Sequence, residues 1–319
     1  MLLQITILIV GLVLVVLGAQ WLVNGASSVA RRFGVSEFVI GLTIVGFGTS
    51  MPELVVSVTG AIEGLSDVSL GNVVGSNIFN TLLILGLTAL LVPVGITSDN
   101  KKRDIPLALA ASLLLVLYGM RHTLFGIGTH DGITRLGGIL FLLLFAGYVV
   151  LCFKKNKPDE ETEAEVKKTS LPLAMVLCLL GIGGLIGGGR MFVNGATEIA
   201  RALGVSEKFI AITILAGGTS MPELVTCVVA AFKKKNQLAL GNVLGSNVFN
   251  ILLILGASAT IHPITFGSIG IVDMGVLLLS VLLLWFFAKT GKGSQISRVE
   301  GVLLLALFVV YYIYLFMKL

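Results

Sequence analysis

The chain has 319 residues, 56% of them hydrophobic and only 12% charged, with a formal net charge of +5. A soluble domain carries about 25% charged residues, so an ordinary water-facing surface is excluded. Disorder is excluded as well, because disordered chains lack apolar residues and this one has them in excess.

What remains is an all-α polytopic membrane protein. Runs of about 20 apolar residues recur along the chain, each about 30 Å long as a helix and able to cross a bilayer's hydrocarbon core. In chain order the predicted spans are ten: about 3–23, 38–60, 69–93, 105–120, 134–153, 171–193, 209–231, 238–261, 272–288 and 300–317. The one long charged stretch, 154–170, reads as a solvated linker without a recognition motif. It separates an N-terminal five-helix half, 1–153, from a C-terminal half, 171–319. No removable signal peptide is expected, since the first residues lack a basic region.

Cys152, Cys178 and Cys227 sit in apolar runs without metal-like spacing and read as small buried hydrophobes. The basic residues lie in short tufts without interleaved aromatics, which argues against nucleic acid. They fit membrane orientation instead. With the amino terminus outside, sixteen Lys and Arg fall on the cytoplasmic side against five outside. The expectation is a multi-pass protein of the cell membrane (plasma or inner), with both termini external and the 154–170 linker cytoplasmic. No cofactor and no protein partner are expected; the bilayer is the one surrounding surface implied.

A repeat organises the chain. Shifted by 170, residues 21–90 lie on 191–260 without a gap, and 38 of 70 positions are identical. VNGA, GVSE, GTSMPELV, GNV, GSN, FN and LLILG recur in the same order, so the segment is duplicated. Five spans separate the copies, and an odd number reverses the direction of crossing, so the second copy is inverted. The divergent stretch agrees: acidic Glu63–Asp67 becomes Lys233–Gln237, placing acid outside and base inside. Inverted repeats around a midplane site are a recurring architecture of secondary transporters.

Within each copy lies one carboxylate at mid-span, Glu53 in GTSMPE and Glu223 in its counterpart. A carboxylate there costs ~2.5–3.5 kcal/mol on insertion scales, so such residues are functional by default. Pro52 and Pro222 should kink or open the helices and free the carbonyls of Gly48, Thr49, Gly218 and Thr219. Thr49 and Ser50, and likewise Thr219 and Ser220, fall one turn before the glutamates and should share their faces. The following spans add Asn72, Ser76 and Asn80, and Asn242, Ser246 and Asn250, every four residues. Gly71/Gly75 and Gly241/Gly245 form GxxxG pairs that should allow close helix approach.

Nearly every polar group in this set presents oxygen, with no histidine and only Cys227 as a nearby sulfur. That suits a hard cation: Ca²⁺ takes six to eight oxygens at about 2.3–2.6 Å, Mg²⁺ sheds water reluctantly, and Zn²⁺ or Cu would want imidazole or thiolate. Two glutamates give a charge of −2, which one Ca²⁺, two Na⁺ or two protons would neutralise. The rest of the chain reads plainly. Arg190 should snorkel to the interface, and His122, His130 and His262 belong to external loops. The glycine-rich run 181–189 lacks the strand and Lys-Ser/Thr of a phosphate loop and reads as a smooth, loosely packed helix face.

The doubled GTSMPE and GN-x-x-GSN-x-x-N segments resemble the two alpha-repeats of the sodium/calcium exchangers, in the prokaryotic calcium/sodium antiporter branch of the cation/calcium antiporter superfamily. The resemblance covers nearly the whole chain, with the first repeat over about 38–93 and the second over about 209–261. It implies antiport of Na⁺ against Ca²⁺ by alternating access, three Na⁺ to one Ca²⁺, with spans 1 and 6 sliding over a steadier core. It implies that Glu53 and Glu223, with the carbonyls of Thr49 and Thr219, hold Ca²⁺. It further implies one Na⁺ position at Glu223, Ser220, Ser76, Thr219 and the Ala216 carbonyl, and another at Glu53, Ser50, Ser246, Thr49 and the Gly46 carbonyl. Asn80 and Asn250 would line the central position. Proton-coupled relatives usually carry GNA-x-E where this chain has GTSMPE, and potassium-dependent ones carry aspartate at Asn250.

The competing readings are a Ca²⁺/H⁺ antiporter using the same glutamates, a cation channel and an intramembrane hydrolase. A hydrolase would need a base or metal near the motifs, and a channel filter normally repeats about an axis along the membrane normal rather than by inversion.

Overall fold

A computed structural model describes residues 2–154, 169–204, 216–291 and 294–318. The predicted linker, from 155 to 168, and the start of the seventh span, from 209 to 215, lie outside the described residues. The described residues are 84% helical. The longer helices among them are α1 (Leu2–Phe33), α2 (Glu37–Thr49), α3 (Met51–Ile62), α4 (Ser66–Leu91), α5 (Ile105–Gly119), α6 (Arg135–Lys154), α7 (Leu171–Ala202), α8 (Met221–Phe232), α9 (Asn236–Ile261), α10 (Ile271–Thr290) and α11 (Arg298–Lys318). Among the described residues seven helices are individually long and apolar enough to cross a membrane, and α2 with α3 forms a bent eighth span. α5 and α8 occupy the other two predicted spans.

α1 and α7 run to 32 residues each, about ten residues past the predicted spans. The extensions carry small residues that pack: Gly25, Ala26, Ser27, Val29 and Ala30 are buried on α1. Gly34, at a φ of +62°, ends α1 in the left-handed conformation that only glycine adopts without strain. Ser36 then caps α2, its Oγ accepting from the Val39 N–H at 3.3 Å.

The described residues form two compact units, each drawing on both sequence halves: Met1–Pro52 with Cys152–Asn242, and Glu53–Leu151 with Val243–Leu319. In the first unit α1 and α7 pack antiparallel along glycines two turns apart. A Cβ on Gly18 would stand 2.8 Å from the Gly181 carbonyl oxygen, one on Gly25 2.7 Å from that of Ala174, and one on Gly188 2.8 Å from that of Gly11. Real Cβ contacts are essentially never that short, so backbone touches backbone along the pair. The expected loose face is thus tight where Gly181, Gly184 and Gly188 meet α1, while Gly183 and Gly187 on the other side have no described heavy atom within 4 Å of a Cβ.

The close approach expected of the GxxxG pairs occurs at Gly241, where a Cβ would lie 2.3 Å from the Phe38 carbonyl oxygen. Gly71 makes ordinary contact with Ile269, and Gly75 meets nothing within 4 Å among the described residues. At the end of α8, Lys235 Nζ pairs with Glu37 Oε1 at 2.5 Å, and Lys233 Nζ donates to Asn24 Oδ1 at 2.7 Å.

The second unit is interlocked between sequence halves. α4 meets α11 at Gly86 and Gly301, and α9 meets α6 at Gly256 and Gly138, with Cβ positions 2.7–3.2 Å from the facing carbonyl oxygens. Phe79 stacks edge-on with Phe308 at 5.6 Å, and its repeat mate Phe249 with Phe145 at 4.8 Å. Two-residue antiparallel ladders pair Val94–Gly95 with Gln295–Ile296 and Gly132–Ile133 with Ile264–Thr265. These contacts expose a repeat beyond residue 90. At a shift of 163, Arg135, Gly138, Phe145 and Tyr148 match Arg298, Gly301, Phe308 and Tyr311.

Among the described residues three segments inside the predicted spans are π-helical, Gly41–Val45, Phe79–Ile84 and Phe249–Ile254, the last two being repeat mates, and a fourth, Asn100–Asp104, leads into α5. A π turn inserts an extra residue and rotates the side chains beyond it, so it breaks a four-residue side-chain register.

The glycine contacts make a direct prediction. Gly188→Ala should lower the unfolding temperature of the detergent-solubilised protein, since overpacking costs about 1–3 kcal/mol. Gly187→Ala enters open space and should leave it unchanged or raise it, alanine being the better helix former by about 1 kcal/mol.

Candidate functional site

Both repeats interrupt their helix directly before the carboxylate. Ser50 has φ −82° and ψ 8°, and Ser220 has φ −88° and ψ 6°, and a new helix starts at Met51 and Met221. Pro52 and Pro222 therefore occupy the first turn of α3 and α8, where a missing N–H costs no helical bond. The sequence implied a kinked helix; the break at serine resolves that kink into two helices, with each glutamate in the first turn of the second. That position suits a carboxylate, because the N-terminal end of a helix carries partial positive charge.

In the first unit Glu223 is 1% exposed, and Ser50 Oγ donates to its Oε1 at 2.8 Å. Thr49 Oγ1 donates to Asn242 Oδ1 at 3.1 Å, and Asn242 Nδ2 donates to Cys227 Sγ at 3.2 Å. The expectation that Thr49 and Ser50 share the face of Glu53 rested on an unbroken helix. The break at Ser50 removes that register, and both hydroxyls bond to residues of the second repeat. Gly46, Ala216, Thr219 and Ser220 belong to this unit too. Ser220 is fully buried, and Thr219 Oγ1 has no hydrogen-bond partner among the described residues. The Gly46 carbonyl accepts from the Ser50 N–H at 3.0 Å.

In the second unit Glu53 is also 1% exposed. Ser76 Oγ donates to its Oε1 at 3.4 Å, and Asn72 Nδ2 donates to its backbone carbonyl at 3.1 Å and to Ser57 Oγ at 2.9 Å. Ser57 was missed in the sequence; it stands where the second repeat has Cys227, and each supports the asparagine of its own copy. Ser246, Asn80 and Asn250 are buried here. The Asn72, Ser76, Asn80 stripe divides: the first two serve Glu53, whereas Asn80, within the π-helical turn, donates to Asn247 Oδ1 at 3.2 Å. Asn250 donates in turn to Asn77 Oδ1 at 2.9 Å. Asn77 and Asn247 were the overlooked members of the GSN motif, and their recurrence in both repeats was the available signal.

Chemically, the two units bury carboxylates among hydroxyls, amides and backbone carbonyls. This donor set suits hard, weakly polarisable cations. Arg190, His122, His130 and His262 are exposed, and the three cysteines are buried thiols.

Comparison with known proteins agrees with this chemistry. The sequence profile of the family described as sodium/calcium exchanger protein matches residues 3–154 and 173–317. The putative antiporter CaxA of Alkalimonas amylolytica is 40% identical over 318 residues, covering 97% of each chain. The sodium/calcium exchanger MaX1 of Methanosarcina acetivorans is 32% identical over 348 residues, again covering 97% of each. A solved structure of the sodium-calcium exchanger NCX_Mj, soaked with Na⁺ and Ca²⁺, superposes with a TM-score of 0.83 at 33% identity, covering 97% of each chain. With the match spanning almost its whole length, the chain belongs to the sodium/calcium exchanger protein family.

Proposed function

We propose that this chain is a secondary antiporter that exchanges Na⁺ for Ca²⁺ across the cell membrane by alternating access. The observation that carries this reading is the burial of Glu53 and Glu223, 1% exposed each, at equivalent helix starts and beside oxygen-bearing side chains. Their combined charge of −2 is neutralised by one Ca²⁺ or by two monovalent ions. A doubly charged carrier is costly to move through an apolar layer, so cation occupancy itself licenses the change of access.

Glu53, Glu223 and the carbonyls of Thr49 and Thr219 are the proposed Ca²⁺ ligands, in line with the family resemblance. Ser50, Ser76, Ser220 and Ser246, with the Gly46 and Ala216 carbonyls, supply the further oxygens for Na⁺, and Asn80 and Asn250 line the central position. The tight glycine contact between α1 and α7 supports their moving as one body rather than separately. Both termini are external and 154–170 cytoplasmic on the charge bias. Neutral Asn250 in place of an acid favours exchange without K⁺.

A ratio of three Na⁺ to one Ca²⁺ moves one net charge, worth about 2.3 kcal/mol per 100 mV. Na⁺-gradient-driven ⁴⁵Ca²⁺ uptake into proteoliposomes should therefore rise or fall with an imposed membrane potential. Uptake driven by a pH gradient but not by Na⁺ would instead identify a Ca²⁺/H⁺ antiporter, and currents without a counter-ion a channel. Glu53→Gln and Glu223→Gln should each abolish Na⁺-driven uptake while the protein stays folded in the membrane; wild-type uptake in either removes the central claim. Asn250→Asp should change how Na⁺, Ca²⁺ and K⁺ compete for transport, measured as inhibition of ⁴⁵Ca²⁺ uptake by each ion.

A further inference from the structure

Four asparagines and a threonine of the second unit form a connected amide network: Asn77, Asn80, Asn247, Asn250 and Thr81, all at most 2% exposed. Asn77 Nδ2 donates to the Asn247 backbone carbonyl at 3.1 Å, and Asn250 Nδ2 donates to Asn77 Oδ1 at 2.9 Å. Asn80 Nδ2 donates to Asn247 Oδ1 at 3.2 Å, and Asn247 Nδ2 to Thr81 Oγ1 at 2.8 Å. The donors of all four amides are engaged. The carbonyl oxygens of Asn80 and Asn250 accept no hydrogen bond among the described residues.

An asparagine amide presents oxygen on one side and NH₂ on the other, and a cation tolerates only the oxygen. A backbone carbonyl can only accept, so Asn77 must turn its NH₂ toward Asn247 O and its oxygen toward Asn250. Asn250 must then spend its NH₂ on Asn77, and its oxygen is left over. The second branch is softer, because the Thr81 hydroxyl that orients Asn247 can donate as well as accept.

We propose that Asn77 and Asn247, with Thr81 behind them, are positioning residues that hold the carbonyl oxygens of Asn250 and Asn80 available to the transported cation. This rests on the exchanger reading and on the central position assigned above. None of the three positioning side chains needs to touch the ion. Their effect is on the fraction of molecules whose amides are correctly turned, and apparent affinity falls in proportion to that fraction.

The test is Na⁺-driven ⁴⁵Ca²⁺ uptake over a range of Ca²⁺ concentrations, alongside the rise in unfolding temperature that Ca²⁺ produces in detergent. Thr81→Val, isosteric but without an acceptor, lets the Asn247 amide turn either way and should raise the half-saturating Ca²⁺ about twofold. Thr81→Ser keeps the hydroxyl and should restore it. Asn77→Ala and Asn247→Ala should raise it at least about threefold, with the maximal rate little changed. Folded Asn77→Ala and Thr81→Val proteins with wild-type half-saturation overturn the proposal, as does a Thr81→Ser protein as impaired as Thr81→Val. So does a loss confined to the maximal rate. A wild-type protein stabilised by Ca²⁺ but not driven by Na⁺ overturns the exchanger reading alone, and the thermal shifts of the variants still decide the amide roles. A wild type that neither transports nor responds to Ca²⁺ overturns both.

Discussion

A carboxylate in a membrane-spanning segment must be held by groups that cost little to bury and can give way to a cation. Glu53 and Glu223 meet that constraint in the same manner. Each lies in the first turn of a helix that starts just after a serine break, each accepts a hydrogen bond from a serine hydroxyl on Oε1, and an asparagine of the next span is hydrogen-bonded to each of their helices. Hydroxyls and amides can present oxygen to an ion, whereas a lysine or arginine would compete with it. Hydrogen-bonded hydroxyls hold a carboxylate without neutralising its charge, which is what the proposed role of these glutamates as cation ligands requires.

Two kinds of glycine contact frame this arrangement. In the first unit the α1–α7 seam presses backbone on backbone over several turns, which leaves no side chains to interdigitate differently and so makes the pair one stiff body. In the second unit Gly86 with Gly301 and Gly256 with Gly138 tie the repeat cores to the last helix of the opposite half. The two halves of the sequence are thus built into common units.

Much of the fold was legible because membrane spans follow from apolar length alone, and helix boundaries mostly fell within a few residues of the predicted ones. The carboxylates were legible because charge is rare in such segments and because duplication marked the same position twice. The pairings of side chains were not. Thr49 and Ser50 were assigned to the face of Glu53 by helical periodicity, and the break at Ser50 sent their hydroxyls to Asn242 and Glu223. Asn80 was assigned to one stripe with Ser76, and the π-helical turn at Phe79–Ile84 moved it into the amide network. The match between Arg135–Tyr148 and Arg298–Tyr311 was in the sequence but too sparse among leucines to stand out before the Phe145–Phe249 and Phe79–Phe308 contacts showed it.

By itself the sequence determined that the chain spans a membrane, that its central segments are an inverted duplication, and that each copy carries one glutamate at mid-span. Those conclusions need only composition, spacing and the cost of burying charge, all of which are local or additive along the chain. Tertiary structure alone decided which hydroxyl meets which carboxylate, which glycines are pressed against backbone and which face open space, and that Asn77 and Asn247 accept hydrogen bonds from Asn250 and Asn80. Such facts depend on where a helix breaks or takes an extra residue per turn. One such step rotates every side chain after it, and periodicity read along the sequence carries no record of that rotation.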